Sequence, residues 1–167
     1  DLHAAFEGHD ALWDYMGYGP FPSATAYHRW ARQREEGEDP RFLVLCDPAT
    51  GRPGGIAAYL RITPEAGSIE VGHICIAPHL QQSAAMTEAM FLMMRWAFDA
   101  GYRRYEWKCD ALNLPSRRAA QRLGFSFEGV FRQHLIVKGR NRDTAWFSVI
   151  DSEWPALAEA YAAWLSP

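Results

Sequence analysis

No apolar run in this 167-residue chain approaches the roughly 20 residues that span a bilayer, so the sequence offers no membrane-crossing helix. Cysteine is scarce. The three residues, Cys46, Cys75 and Cys109, lie far apart within apolar or strand-like runs. Their odd number and unpaired spacing exclude a zinc framework, so the expectation is buried reduced thiols, no metal and a cytoplasmic compartment. Asp1-Leu2-His3-Ala4-Ala5-Phe6 lacks the basic flank and apolar stretch of a signal peptide. An initiating Met is also lacking, so the sequence reads as trimmed or as missing its earlier residues, and a first strand could have been lost with them. Nor is there an excess of positive charge: 17 basic against 20 acidic residues give a net −3, which speaks against a dedicated nucleic-acid binder. A local basic cluster, Lys138-Gly139-Arg140-Asn141-Arg142, is followed at once by Asp143. It reads first as a solvated turn and second as an anion contact.

What is present suits one soluble α/β domain over residues 1–167, with 49% hydrophobic and 22% charged residues. Short helical pieces are expected over 2–7 and 10–16. The turn-rich Gly17-Tyr18-Gly19-Pro20-Phe21-Pro22 follows, and Ser23 then caps a helix to about Glu36. Strands at 41–47, 55–62 and 68–76, joined by Pro/Gly turns, predict an antiparallel meander. A helix over 86–100 carries Glu88, Arg95 and Asp99 on one narrow stripe, which predicts a largely buried element with its methionines as core filler. A strand at 103–109, a helix at 113–123, a hairpin of 127–138 with 144–150, and a terminal helix capped by Ser152 complete the reading.

Two stretches carry chemistry. Leu80-Gln81-Gln82-Ser83-Ala84-Ala85-Met86-Thr87 leads into a helix start, where free backbone N–H groups and a partial positive charge can cradle a phosphate. An ordinary connection reads the same way. Downstream, Asn113-Leu114-Pro115-Ser116 precedes Leu123-Gly124-Phe125 and Glu128-Gly129, and helix capping alone accounts for these residues.

Taken together, GSIEVGHICIAPHLQQSAAMTEA, GYRRYEWKCDALNLPSRRAAQRLGFSFEGVFRQ and RDTAWFSVID resemble the GNAT superfamily of N-acetyltransferases. The resemblance is to its branch containing the RimJ and RimL ribosomal-protein acetyltransferases, and it spans roughly residues 53 to 154. It implies a mixed, mostly antiparallel sheet flanked by helices, and direct acetyl transfer from acetyl-CoA to an amine. That family usually has Q or R, two residues, G, one residue, then G or A in its pyrophosphate loop. Gln81, Ala84 and Met86 fall on those positions. Ala84 takes positive φ less cheaply than Gly, and Met86 crowds the helix start. A helical-φ cradle that tolerates Ala, a weakened site and a non-catalytic relative all fit.

The resemblance assigns Ile74 and Ile76 to backbone pairing with pantetheine. It assigns Gln81, Gln82, Ser83, Ala84, Ala85, Met86 and Thr87 to the pyrophosphate. Asn113 becomes a cofactor contact and Ser116 the donor to the leaving sulfur, because the tyrosine of many relatives is replaced by Ala120. Leu135 stands where RimL-type enzymes carry a Glu. The base candidates are Glu70 and His73, whose side chains share the site only if Gly72 accommodates a bulge. Weak base evidence favours an α-amino acceptor over lysine. Trp13, Tyr15, Tyr18, Phe21, Tyr59 and Trp107, with His134, would wall the acceptor pocket; a core role competes for each aromatic residue. Expected partners are acetyl-CoA and an amine, either a protein N-terminus or a small molecule such as an antibiotic or polyamine. A homodimer stays open, and neither nucleic acid nor membrane is expected. A non-catalytic CoA-binding or assembly module of the same fold is the competing reading.

Overall fold

Short turns join β1 (Arg41–Cys46), β2 (Pro53–Thr63) and β3 (Ser68–Ile76) into the antiparallel meander predicted from their punctuation. The computed structural model describes residues 1–166. After β3 the chain crosses through α3 (Ala84–Asp99) to β4 (Arg104–Asp110), which lies parallel to β3. Helix α4 (Leu114–Arg122) leads to the hairpin of β5 (Ser126–Val137) and β6 (Arg140–Ile150). Strand β6 inserts between β4 and β5, giving the order β1-β2-β3-β4-β6-β5. The result is the mixed α/β sheet expected, with one parallel pairing at its centre.

Alternation along the strands divides two apolar clusters between the faces. Tyr59, Ile69, Val71, Tyr105, Trp107, Phe147 and Val149 pack with α3, α4 and α5 (Trp154–Leu165). Met86, Met90, Met93 and Met94 are all buried there as core filler. Ile56 and Cys75 belong to a second cluster with α1 (Leu2–Phe6), the 3₁₀ turn Asp10–Trp13 and α2 (Ala24–Glu35). Gly124, left-handed at φ +90°, ends α4 where an added Cβ would lie 2.5 Å from Leu157 Cδ1. The left-handed backbone favours glycine here, and any larger residue would also have to displace the Leu157 side chain.

Three local expectations are corrected. Cys46 is exposed rather than buried, because β1 is an edge strand. Ser152 does not cap α5. Glu153 occupies that position without a side-chain cap, and its carboxylate accepts from Ile150 N–H instead. Met86 does not crowd the start of α3, since its side chain turns into the core.

The feature that positions the site is the limited contact between β3 and β4. Their pairing runs only from Ser68–Arg104 to Val71–Trp107. Beyond it the β2–β3 register shifts, with Ala58 opposite Gly72 but Ile56 opposite Cys75. The extra residue is accommodated at His73, whose φ is +53°. This bulge redirects β3 away from β4 and opens a slot through the sheet.

Candidate active site

The slot is a cavity of about 180 Å³ lined from both faces. Trp107, Cys109, Asn113 and Ser116 reach it from the side of α4, and Glu70, Lys108, His134, Arg142 and Thr144 from the opposite side. Tyr15, Met16 and Gly17 of the N-terminal segment close over it. Tyr15 donates to the Leu112 carbonyl at 3.3 Å, and Lys138 of the β5–β6 turn donates to the Trp13 carbonyl at 2.7 Å.

On the α4 side, Asn113 Oδ1 accepts from Ser116 N–H at 3.1 Å, so Asn113 is the cap. The Ser116 hydroxyl is not used in capping. Its oxygen accepts from the Trp107 indole N–H at 3.0 Å, and the Cys109 sulfur lies beside the same hydroxyl as a weak acceptor for its proton.

Across the sheet, six charged side chains form a continuous chain. Arg61 and Lys108 both donate to Glu70 Oε2, at 2.7 and 2.9 Å. Lys108 also reaches Glu106 at 2.7 Å, Arg104 meets Glu106 at 2.6 Å, and the Arg104 fork engages Glu128. Ser148 donates to Glu128 as well. The Glu of the Glu128-Gly129 element is therefore bound into the sheet rather than turned to the cavity. Lys108 and Glu70 are almost fully buried, and the Lys108 ammonium lies 3.8 Å from the Trp146 ring centroid.

The bulge brings both sequence-predicted base candidates, Glu70 and His73, to one cavity. His73 is stacked on Tyr18 and tilted against Phe42, with Nδ1 3.1 Å from the Tyr18 hydroxyl. Burial, assisted by the charges of Arg34 and Arg61, lowers its pKa to about 4. Burial likewise pushes the Tyr18 phenol upward, so it stays protonated and available as the donor to Nδ1. His134 Nδ1 lies 2.9 Å from Thr144 Oγ1.

The predicted aromatic wall is largely elsewhere. Tyr59 faces α3, where its hydroxyl donates to the Met93 carbonyl at 2.8 Å, because strand alternation puts it on the core side of β2. Trp13 and Phe21 pack with Tyr27 and Phe6 in the N-terminal cluster. Tyr18 acts on the cavity through His73, while Trp107 and His134 line it directly.

The residues that would hold a cofactor fit its chemistry. From Gly72 onward β3 pairs with β2 but not with β4, leaving backbone free on the slot side. The Gln81 amide donates to the Ile76 carbonyl at 2.9 Å, which leaves Ile74 the more open of the two strand positions. The left-handed residue of the loop is Gln82, at φ +58°, and Ala84 begins α3 in helical conformation. Alanine at that position therefore carries no conformational penalty. Ser83 caps the helix by accepting from Met86 N–H, and the N–H groups of Ala84 and Ala85 are without partners among the described residues. Arg122 reaches this same first turn and donates to Thr87 Oγ1 at 3.1 Å.

Sequence reasoning missed Arg61, Lys108 and Arg122, whose partners lie on other elements. Alternation along 104–110 was the one available signal for Lys108, since it aligns the side chains of Arg104, Glu106 and Lys108 on one face.

A family model described as an acetyltransferase (GNAT) domain matches residues 1–126. The chain belongs to the GNAT acetyltransferase family. A GCN5-related N-acetyltransferase from Brucella melitensis superposes with a TM-score of 0.96 at 48% identity, covering 99% of this chain and 76% of that one. A protein described as a probable acetyltransferase of the GNAT family, from Chromobacterium violaceum, gives 0.87 at 40% identity over 92% of this chain and 78% of its own. An uncharacterized N-acetyltransferase, p20, of Bacillus licheniformis is 28% identical over 120 residues, 71% of this GNAT chain and 66% of the relative. The hairpin and α5 beyond residue 126 lie outside the family match but within the Brucella superposition. Among the described residues, no helix is long and apolar enough to cross a membrane.

Proposed function

We propose that this chain is an acetyl-CoA-dependent N-acetyltransferase of the RimJ/RimL-like branch, acting on a primary amine of a protein N-terminus or a small molecule. The observation that carries this reading is the slot between β3 and β4, open to Ser116 on one face and to Glu70 on the other. A donor and an acceptor can thus meet within the sheet from opposite sides. When bound, acetyl-CoA would supply the activated acetyl thioester.

The chain's own residues then have distinct tasks. The N–H groups of Ala84 and Ala85, with Arg122, provide positive potential for phosphate at the start of α3. Ile74 offers backbone along the slot. Ser116 carries at Oγ the hydroxyl assigned as donor to a leaving thiolate, which would replace the neighbouring Cys109 sulfur as its acceptor. Glu70 keeps Oε2 on its two cations and has Oε1 left for the acceptor amine. His73, neutral above about pH 4, shapes the bulge together with Tyr18.

Every carboxylate lining the cavity already accepts a hydrogen bond, Glu70 from Arg61 and Asp110 from Leu112 N–H. This favours an amine that needs little help to become neutral. An α-amino group titrates near roughly 8 and a lysine near roughly 10.4, so the former is the better acceptor class.

A thermal-shift titration with acetyl-CoA and free CoA, followed by thiol-release assays on an amine panel, tests the reading. Saturation at 100 times Kd adds about 2.7 kcal/mol of stability. No shift at millimolar acetyl-CoA would leave a non-catalytic assembly module, and acetylation confined to lysine side chains would refute the α-amino preference.

A further inference from the structure

Arg61 and Lys108 are each neutralised at the cavity by a carboxylate within 2.9 Å. Arg142 is not. It lines the same cavity, half-buried, and donates Nε–H to Thr144 Oγ1 at 3.1 Å. Among the described residues, no carboxylate lies within 4.0 Å of its guanidinium, and neither terminal NH2 group has a hydrogen-bond partner. Burial lowers its pKa, while Asp110 acts on it only at a distance. The Thr144 hydroxyl that holds Nε is itself buried and fixed beside His134, so the planar fork has a set direction. Such a fork matches a carboxylate through two parallel hydrogen bonds.

We infer that Arg142 is an anion-binding residue of the acceptor site, and that the acceptor is a small amine carrying a carboxylate in the same molecule. This rests on the acetyl-transfer reading above. The donor's phosphates do not satisfy Arg142, since the first turn of α3 and Arg122 lie outside the lining of this cavity. Its volume, about 180 Å³, has room for a small molecule. The charge count points the same way. Of the five ionised side chains lining the cavity, Arg61, Lys108 and Arg142 are cationic and Glu70 and Asp110 anionic. With three cations against two carboxylates the lining is net positive, so the second ammonium of a dicationic polyamine is less favoured there than a carboxylate facing the unpaired arginine.

Matched acceptors separate the claims. 4-Aminobutyrate, butylamine and 1,4-diaminobutane share a chain, as do leucine and leucinamide, and all are assayed by thiol release and by calorimetry on CoA-loaded protein. The carboxylated member of each set should be preferred by at least about tenfold in kcat/KM, mostly through KM. Arg142→Met should erase that preference, lowering kcat/KM for the carboxylated amines far more than for their carboxylate-free partners, and Arg142→Lys should restore part of it. A thermal melt and retention of the acetyl-CoA shift identify a folded variant. If acetyl-CoA itself produces no shift, the acetyl-transfer reading fails. If it does, equal or better use of butylamine or 1,4-diaminobutane overturns the inference, as does a carboxylate preference that survives Arg142→Met. Absence of calorimetric binding for both carboxylated amines overturns it without any turnover, and selective use of a peptide N-terminus overturns the small-molecule assignment.

Discussion

The Trp107 indole N–H donates to the Ser116 hydroxyl oxygen at 3.0 Å, linking β4 to the first turn of α4 at the mouth of the slot. With that lone pair engaged, the hydroxyl proton is directed away from Trp107, toward the Cys109 sulfur or an acceptor in the cavity. Ser116→Ala should therefore lower kcat on the order of tenfold or more, with the acetyl-CoA-induced thermal shift retained. The helix should stay intact, because its cap is Asn113 Oδ1. Asn113→Ala, by contrast, should cost about 1 kcal/mol in denaturant unfolding. Full turnover in Ser116→Ala would reduce the serine to a partner for Trp107.

Loop chemistry at the start of α3 yields a second prediction. Ala84 is helical and its N–H is free, so Ala84→Gly should not tighten acetyl-CoA binding, although glycine is the family's usual residue there. Arg122→Ala removes a cation from the first turn and should weaken binding by about tenfold, with a smaller loss at high salt. Calorimetric titration of both variants decides whether the arginine or the missing glycine governs affinity.

These two cases show why parts of the site were readable from sequence and others were not. The strands and helices follow from turn residues and periodicity, which act locally, so β3 was placed at Ser68–Ile76 as found. The bulge was legible as a condition: Glu70 and His73 share a cavity only if β3 takes an extra residue, and it does so at His73. Tyr59 was misplaced because alternation fixes which residues share a face without saying which face meets the cavity. Arg122 finds Thr87 across 35 positions and Arg104 finds Glu128 across 24, separations at which spacing carries no information. Arg142 was visible only as one member of a basic turn. Its neighbours in the chain did not reveal that its own side chain enters the slot.

His73 should impose an acid limit on stability. Its folded-state pKa of about 4 lies below its ordinary value of 6.5, so the unfolded chain binds the proton more tightly. The contribution is fully present above pH 6.5 and is lost progressively as pH falls toward about 4. The depression corresponds to up to about 3 kcal/mol. His73→Leu should flatten that part of the pH–stability curve, measured by urea unfolding between pH 4 and 7. An unchanged slope would mean that His73 is solvated or protonated where it packs against Tyr18 and Phe42.

The buried pair of Lys108 and Glu70 makes the sharpest stability prediction. Lys108 bridges Glu70 and Glu106 with its side chain only 5% exposed. Removing it in Lys108→Met leaves two carboxylates crowded on one side of the slot, each retaining a single cation. Breaking such a pair costs about 3–5 kcal/mol, more than the pair itself contributes, because the stranded charge stays desolvated. Glu70→Gln should be milder, since Lys108 keeps Glu106 and the amide still accepts from Arg61. The double variant should then be less destabilised than the sum of the singles, by roughly 1–3 kcal/mol in a double-mutant cycle. Additive losses would show that the two side chains are independently solvated and that the network does not set the floor of the acceptor site.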